Sequence, residues 1–161
     1  MANKININEK FSKFSEHWRP KIVAELNGQE FKLAKIKGEY PFHAHEGEDE
    51  MFFCWKGSFV LDFEGGESVH VSEGAECPQT VLGTDCNEAP ESLAIQGSAE
   101  GRKITSVLVK AGECIVVPKG VVHRPRAEEE CHIFLIEPKD VKNNGDTEVD
   151  AVYDAPMGEW V

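Results

Sequence analysis

Short apolar runs that end near glycine or proline occupy most of the chain after residue 20, and they limit the folds that it can adopt. Five of them are MFFCW, SFVLDFE, ITSVLVK, ECIVVP and CHIFLIEP. Their length and their content of Phe, Val, Ile and Leu are typical of β-strands. Several short strands with turn signals between them predict an all-β sandwich or barrel.

The segment ahead of these strands carries two further signals. Residues 7–18 are predicted to form a short amphipathic helix, which Pro20 stops. The apolar face of this helix consists of Ile7, Phe11, Phe14 and Trp18. Next, the pair Asn27-Gly28 separates the runs KIVAEL and QEFKLAKIKG, which predicts a hairpin with a type I′ turn.

A length of 161 residues predicts a single domain. We expect the barrel to span about residues 20–138 and a polar tail to follow over about 139–161, docking through Trp160. An insertion over about 66–101, rich in Gly, Ser, Glu and Pro, interrupts the strand pattern. It is expected to be a loop with a short hairpin or turn of its own. Its length makes it a candidate lid over the barrel mouth, where specificity would reside.

Charge and hydropathy exclude some partners. A formal net charge of −12 repels a phosphate backbone and anionic lipid, so we expect neither nucleic acid nor a membrane as partner. No apolar run approaches the roughly 20 residues that span a bilayer. The first residues, MANKININEKFSKF, lack the apolar core of a signal peptide. A cytoplasmic location is the expectation that follows.

The five cysteines are odd in number and show no C-x2-C spacing, which argues against a zinc finger or a disulfide framework. Three lie in apolar runs and are expected to be small buried hydrophobes, namely Cys54, Cys114 and Cys131. Cys77 and Cys86 lie in the insertion. They can pair only if the compartment is oxidising.

The first stretch with chemical information is Gly38-EYPF-His43-Ala-His45-EGED-Glu50-MFFCWK-Gly57. Residues two apart in a strand face the same way, so His43 and His45 are expected to point to one side. If the residues between His45 and Glu50 form a turn, the Glu50 carboxylate returns beside the two imidazoles.

The second stretch is Gly112-ECIVV-Pro118-Lys-Gly120-VV-His123-RPR. It predicts a strand, a tight turn with Pro118 and Gly120, and a second strand that begins near His123. Although about 70 positions separate the two stretches, a barrel can bring their strands together.

Three imidazoles and one carboxylate form a mixed nitrogen and oxygen site. The residues are His43, His45, Glu50 and His123, hereafter the four-residue cluster. Such a site suits one divalent Fe, Mn, Zn, Ni or Cu ion, whereas Ca²⁺ and Mg²⁺ prefer oxygen. Four protein ligands around an octahedral ion leave two positions open to water, dioxygen or substrate.

The two stretches resemble the paired motifs of the cupin superfamily, G-x5-H-x-H-x3–4-E-x6-G and G-x5-P-x-G-x2-H-x3-N. The first motif matches from His43 through Gly57, although Gly38 lies one residue closer to His43 than the pattern asks. The spacing to Gly57 also selects Glu50 over Asp49 as the ligand.

The second motif matches from Gly112 through His123, with Ala127 where the family often has Asn, a residue that is not a metal ligand. The resemblance is to small single-domain cupins of the type-2 conserved-barrel group. It covers roughly residues 28–66 and 102–138.

The resemblance implies an antiparallel jelly-roll barrel with a metal ion near its centre and, commonly, a homodimer. It also implies action on a small organic molecule at that metal, of the oxygenase or isomerase type. The alternative is a non-catalytic module that binds or senses a small ligand. Fold membership does not decide between them, and no second acid or base can be named from the sequence.

Two arginines follow the last predicted ligand. Arg124 and Arg126 can meet an anionic substrate at the mouth or pair with carboxylates, for which residues 128–130 (EEE) are the nearest candidates. The remaining histidines, His17, His70 and His132, lack partners at ligand spacing and are expected to be surface or filler residues.

Overall fold

In a computed structural model, the structure describes residues 2–65, 95–99, 102–145 and 147–161; for 95–99, 102 and 103 it describes the strand alone. It contains one short helix, α1 (Ile7–Phe11). The strands are β1 (Lys21–Leu26), β2 (Gln29–Glu39), β3 (Glu50–Lys56), β4 (Ser58–Glu64), β5 (Ile95–Ala99), β6 (Arg102–Lys110), β7 (Cys114–Val117) and β8 (His123–Pro138).

The described strands form one antiparallel sheet in the order β1-β2-β8-β4-β6-β5, with β3 pairing both β8 and β7. The predicted hairpin at Asn27-Gly28 joins β1 to β2. Strand β8 connects the two halves of the barrel, because its first residues pair with β4 and its last residues pair with β2 and β3. The predicted all-β antiparallel barrel with a short N-terminal helix is thereby confirmed.

Three consecutive exposed glutamates, residues 128–130, interrupt the alternating burial of β8, and the register between β2 and β8 shifts beside them, between Ile36 and Gly38. On both sides of these glutamates, the odd-numbered residues from His123 to Glu137 are buried. The main core lies on this inner face and includes Ile36, Phe59 and Ile133. A second apolar cluster lies on the outer face of β2, where the N-terminal segment covers Val23 and Leu33.

The N-terminal helix is shorter than the predicted 7–18. It ends at Phe11 because Ser12 caps it, with the Ser12 hydroxyl donating to the Glu9 carbonyl at 2.7 Å. Phe11 and Phe14 pack in the outer cluster, as their shared face predicts. Trp18 instead belongs to the main core, since the chain turns there with a positive φ of 60°.

Part of the predicted insertion is regular structure. Its last residues form β5, which pairs with β6 from Ile95↔Ser106 to Ala99↔Arg102. Residues 66–94, 100 and 101 lie outside the described residues. The predicted lid and the pairing of Cys77 with Cys86 fall there.

The C-terminal tail docks through its backbone rather than through Trp160. The Trp160 side chain is 58% exposed, while Ile22 N–H donates to the Glu159 carbonyl at 2.6 Å and Val161 N–H to the Ile22 carbonyl at 3.1 Å. Tyr153 is the aromatic residue of the tail that packs against the core.

The prediction for the cysteines is confirmed at two positions and wrong at one. Cys54 and Cys131 are buried, whereas Cys114 is exposed. Cys114 begins the four-residue strand β7, whose described pairing is with β3 alone, and its side chain alternates outward with Val116. In the part of the chain that the structure describes, no helix is long and apolar enough to cross a membrane.

Candidate metal centre

The structure brings the four-residue cluster together inside the barrel. One side-chain ligand atom from each residue lies within 4.8 Å of the others, and all four residues are buried. His43 and His45 lie between β2 and β3, Glu50 begins β3, and His123 begins β8. The convergence of two distant stretches of sequence is therefore a property of the fold.

Backbone hydrogen bonds join these two stretches directly. His43 and His123 form an antiparallel bridge, in which each N–H donates to the carbonyl of the other at 3.0 and 2.9 Å. Gly120 N–H donates to the His45 carbonyl at 2.7 Å. The turn before His123 closes through Val121 N–H and the Pro118 carbonyl, and Gly120 there has a φ of 76°. Glycine adopts that angle without strain.

Two imidazoles are held in one orientation by their own backbone neighbours. His43 Nδ1 lies 3.1 Å from the Pro41 carbonyl, and His123 Nδ1 lies 2.9 Å from the Val121 carbonyl. Because a carbonyl can only accept, each Nδ1 is the protonated nitrogen. In the neutral imidazole this leaves Nε2 with a free lone pair, the arrangement found in histidine ligands of metals.

The Glu50 carboxylate faces the other imidazole nitrogens. Its Oε2 lies 3.2 Å from His123 Nε2 and 3.4 Å from His45 Nε2. A neutral His123 that donates through Nδ1 has no proton on Nε2 to give to this carboxylate. Both ring nitrogens of His45 are buried and have no hydrogen-bond partner. A cation among these atoms would satisfy all of them, so the residues fit a divalent transition metal ion.

The pKa values of His43 and Glu50 favour the ligand forms at neutral pH, whereas burial would lower the pKa of His45 but the Glu50 carboxylate beside it raises it above its usual value. Burial lowers the pKa of His43 to about 4, and a charge on His123 would lower it further. Burial alone would raise the pKa of Glu50, but His123 and His45 hold it well below its usual range. His43 is thus a neutral imidazole and Glu50 a carboxylate, the protonation states that bind metals.

A second buried polar group, which the sequence did not predict, lies beside the cluster. Glu30 and Glu137 pair across β2 and β8. Because Met51 pairs with Ile136, the next residues along, Glu50 and Glu137, are neighbours across β3 and β8. Alternation along β2 divides its residues into two sets that face opposite sides of the sheet. The sequence does not show which set faces the interior, so the burial of Glu30 and Lys32 could not be predicted.

Lys32 supplies the positive charge in this second group. Its Nζ lies 2.8 Å from Glu137 and 3.2 Å from Glu30. The other carboxyl oxygen of Glu137, Oε2, is buried without a partner. Burial and the charge of Glu50 raise the pKa of Glu137 to about 7, against the opposing effect of Lys32. Glu137 can therefore hold or release a proton near neutral pH.

A small cavity of about 30 Å³ adjoins the cluster, with room for about two water molecules. His43 and Glu50 line it on the side of the four-residue cluster. Most of the other lining residues are apolar, and they include Trp18, Phe52 and Leu135. The C-terminal tail contributes Asn143.

Arg124 and Arg126 pair with carboxylates, but not with residues 128–130. Their Nε atoms lie 3.0 and 2.9 Å from Oδ2 of Asp62, and Arg124 also contacts Glu39 at 2.8 Å. Both arginines alternate with the buried His123 and therefore face away from the barrel interior. They do not line the cavity beside the metal ligands.

Comparison with known proteins gives consistent relatives, although no family model matches the chain. A cupin-2 domain containing protein from Shewanella frigidimarina is 32% identical, with a TM-score of 0.57 over 84% of this chain and 94% of that chain. The uncharacterized protein YdbB of Bacillus subtilis is 26% identical over 121 residues, 75% of this chain and 67% of its own length.

More distant structures share the fold alone. Hydroquinone 1,2-dioxygenase PnpCD, solved with Cd²⁺ and 4-hydroxybenzonitrile, is 18% identical with a TM-score of 0.53 over 94% of this chain and 79% of that chain. The Shewanella protein is the more informative relative, because its identity is higher and extends over nearly its whole length. On that relationship, together with the shared antiparallel barrel, the chain belongs to the cupin superfamily.

Proposed function

We propose that this protein is a metal-dependent cupin that acts on a small organic molecule, with one divalent transition metal bound by His43, His45, Glu50 and His123. The observation that carries the proposal is the buried His45 imidazole, whose two ring nitrogens make no hydrogen bond although the Glu50 carboxylate lies 3.4 Å from Nε2. Leaving these groups uncompensated is costly in a protein interior, and a bound cation removes that cost.

A bound ion of this kind would supply Lewis acidity or, if it is iron, manganese or copper, redox chemistry. The chain's own residues supply the rest. The Pro41 and Val121 carbonyls fix the rings of His43 and His123, and the apolar cavity wall excludes bulk water. Glu137, the neighbour of Glu50 across β3 and β8, adds a buried titratable carboxyl group beside the cluster, with a pKa raised to about 7 first by burial.

The reaction class proposed is oxygenation or isomerisation. Hydroquinone 1,2-dioxygenases with this fold have been solved with Fe³⁺ and, in another case, with 4-nitrophenol. Their likeness to this chain is one of fold, so it sets the order of testing: oxygenation comes first.

Elemental analysis tests whether the protein binds a metal ion, on which the rest of the proposal depends. Protein purified without added metal is expected to contain close to one transition metal ion per chain. Oxygen uptake by protein loaded with Fe²⁺ or Mn²⁺, in the presence of phenols, thiols or keto acids, then tests turnover. A chain that takes up none of Fe, Mn, Zn, Ni or Cu would rule the proposal out.

The second candidate function is a non-catalytic module that binds or senses a small ligand. The mostly apolar wall of the cavity favours it, because sites that bind small molecules are lined mainly by hydrophobic side chains with a few polar groups. A ligand that raises the melting temperature without being converted would favour this reading.

The predicted homodimer has support on the outer face of the barrel. Trp55 of β3 is 39% exposed and Val116 of β7 is 54% exposed, beside partly buried Phe53 and Met51. A second copy could cover this face, and light scattering would then give twice the chain mass. The substitution Val116→Lys should reduce the dimer. The cytoplasmic location and the lack of a nucleic-acid or membrane partner stay predictions from charge and sequence.

A further inference from the structure

The C-terminal segment over residues 141–145 passes directly over the candidate metal centre. At its start, Lys32 Nζ donates to the Val141 carbonyl at 3.3 Å. At its end, Gly145 lies so close to the Ala44 carbonyl that a side chain there would collide with it and would also touch His45 Nδ1. The segment is thus fitted to the metal-binding side of the barrel.

Asn143, at the middle of this segment, has an unused hydrogen-bonding atom. Its Oδ1 is buried and has no partner, and the residue lines the cavity together with His43 and Glu50. Among the described residues, the other buried side-chain polar atoms without a partner belong to His45 and Glu137. His45 belongs to the four-residue cluster and Glu137 is the neighbour of Glu50 across β3 and β8, so all three residues lie beside that cluster, and the unpaired Oδ1 of Asn143 is a hydrogen-bond acceptor.

The charges around this place do not favour an anion. Lys32, the cation beside the cluster, is already paired with Glu30 and Glu137. The guanidinium groups of Arg124 and Arg126 face away from the barrel interior and bind Asp62. Within the described part of the chain, an incoming anion would find the metal ion itself but no uncommitted side-chain cation.

We infer that Asn143 is a ligand-contacting residue of the metal centre, and that its Oδ1 accepts a hydrogen bond from a neutral, hydroxyl-bearing molecule bound beside the metal ligands. The inference rests on the proposed function, because the molecule it describes occupies the same site. It makes the C-terminal segment, which lies outside both cupin motifs, part of the determinant of substrate class.

The test uses protein loaded with Co²⁺ and two small probes that fit the cavity. Hydroxylamine is neutral at neutral pH and has an O–H donor, whereas azide is an anion without a donor. The visible absorption of Co²⁺ reports the binding of each. For Asn143→Ala, hydroxylamine should bind about tenfold more weakly, the usual loss for one hydrogen bond, while azide affinity stays the same.

Two further variants separate the acceptor from its surroundings. Asn143→Asp keeps an acceptor oxygen, so it should retain hydroxylamine affinity within about threefold and weaken azide by charge repulsion. Asn144→Ala is the matched control, since that neighbouring side chain donates to the Thr147 carbonyl, just after the segment, at 2.6 Å. It should leave hydroxylamine affinity unchanged.

The inference is overturned if Asn143→Ala weakens neither probe or weakens both equally, or if Asn144→Ala has the same effect. Failure of the wild-type protein to bind hydroxylamine would also overturn it. In each of these cases Co²⁺ uptake shows that the metal site itself stands. Failure of the wild-type protein to bind any metal would instead defeat the proposed function, and this inference with it.

Discussion

Two buried carboxylates, Asp62 and Glu50, lie on opposite faces of the sheet and differ in the groups that surround them. Asp62 is 2% exposed and is surrounded by donors from its own chain. Arg124 and Arg126 each donate from Nε at about 3 Å, and Ser106 donates its hydroxyl at 2.6 Å. Since guanidinium groups are charged at all ordinary pH values, this site is complete without any external partner.

Glu50 is buried to a similar degree, at 4% exposed, but its neighbours are imidazoles. His45 and His123 approach its Oε2, and neither brings a permanent positive charge. A buried carboxylate with permanent counter-charges is a structural element. A buried carboxylate surrounded by imidazoles has only titratable partners, so a bound cation can take the place of a proton there, and this is the physical signature of the candidate metal centre.

The largest predicted effect is on metal content. His123→Ala removes a ligand that the backbone has oriented, so metal content should fall from about one ion per chain to less than about a tenth. Elemental analysis measures this, and circular dichroism checks that the barrel remains folded. His17→Ala, which changes a histidine at the surface, is the control and should retain the metal. Full metal occupancy in His123→Ala would mean that the site around Glu50 does not bind the metal, so that it would no longer differ from the site around Asp62.

The substitution Glu50→Gln tests, through thermal stability, whether a metal ion binds beside the Glu50 carboxylate. Metal at about 100 times its dissociation constant should stabilise the wild-type protein by about 2.7 kcal/mol, which raises the melting temperature by roughly 5–10 °C. The variant, which lacks the carboxylate charge, should show little of this rise. A rise in the variant equal to that of the wild type would show that the Glu50 carboxylate does not bind the metal.

Asp62→Asn should have the opposite pattern. Leaving Arg124 and Arg126 unpaired should cost about 2 kcal/mol of the free energy of unfolding, without changing metal affinity. The effect should depend on pH. Burial alone would raise the pKa of Asp62, but Arg126, Ser106 and Arg124 hold it below its usual range.

Such a depressed pKa stabilises the folded state above the ordinary aspartate pKa of about 4, and the contribution disappears as the pH falls through the folded-state value. Urea unfolding at pH 7 and at pH 3 should therefore show the difference between wild type and Asp62→Asn shrinking in acid. A constant difference would show that the ionised form is not what matters.

The smallest effect on stability is expected at Glu130. Like Glu50 it lies between two histidines, but its side chain is exposed to solvent. Its carboxylate oxygens lie 3.0 Å from His17 and 3.0 Å from His132, and hydrogen bonding to His132 and His17 lowers its pKa to about 2. Exposed pairs of this kind contribute about 0.5 kcal/mol, so Glu130→Gln should lower the melting temperature by about 1–2 °C.

This small loss should be present above pH 4.5 and should vanish as the pH approaches 2, because only the ionised carboxylate benefits. Metal content should not change, since water already solvates this carboxylate. A loss of metal on Glu130→Gln would show that histidine and glutamate together, without burial, suffice to define the site.

The sequence was sufficient for the barrel and for the grouping of the four-residue cluster. Strand signals are local, and the ligand spacings repeat a known pair of motifs, so both could be predicted without coordinates. The end of the helix at Phe11 was harder to predict. It depends on the Ser12 cap and on the positive φ of Trp18, whereas the apolar spacing of Phe11, Phe14 and Trp18 looks the same on a longer helix.

The residues around the cluster could not be predicted, because they depend on which strands become neighbours. Glu137 lies beside Glu50 only through the pairing of β3 with β8, and Asn143 reaches the cavity only because the tail crosses the barrel. Arg124 has Asp62 as partner rather than the glutamates at 128–130 for the same reason, since the pairing of β4 with β8 places Asp62 opposite Arg124. Pairing between distant strands has no local signature in the sequence.

The reciprocal bridge between His43 and His123 has a consequence for engineering. Main-chain hydrogen bonds do not depend on which side chain stands at either position, so the backbone at 43 and 123 should keep its geometry when the side chains there are changed. Replacing an imidazole at 43 or 123 by a carboxylate or a thiol should change which ion is preferred while leaving the frame in place. This small barrel is therefore a scaffold in which metal selectivity should be changeable by substituting single ligand residues.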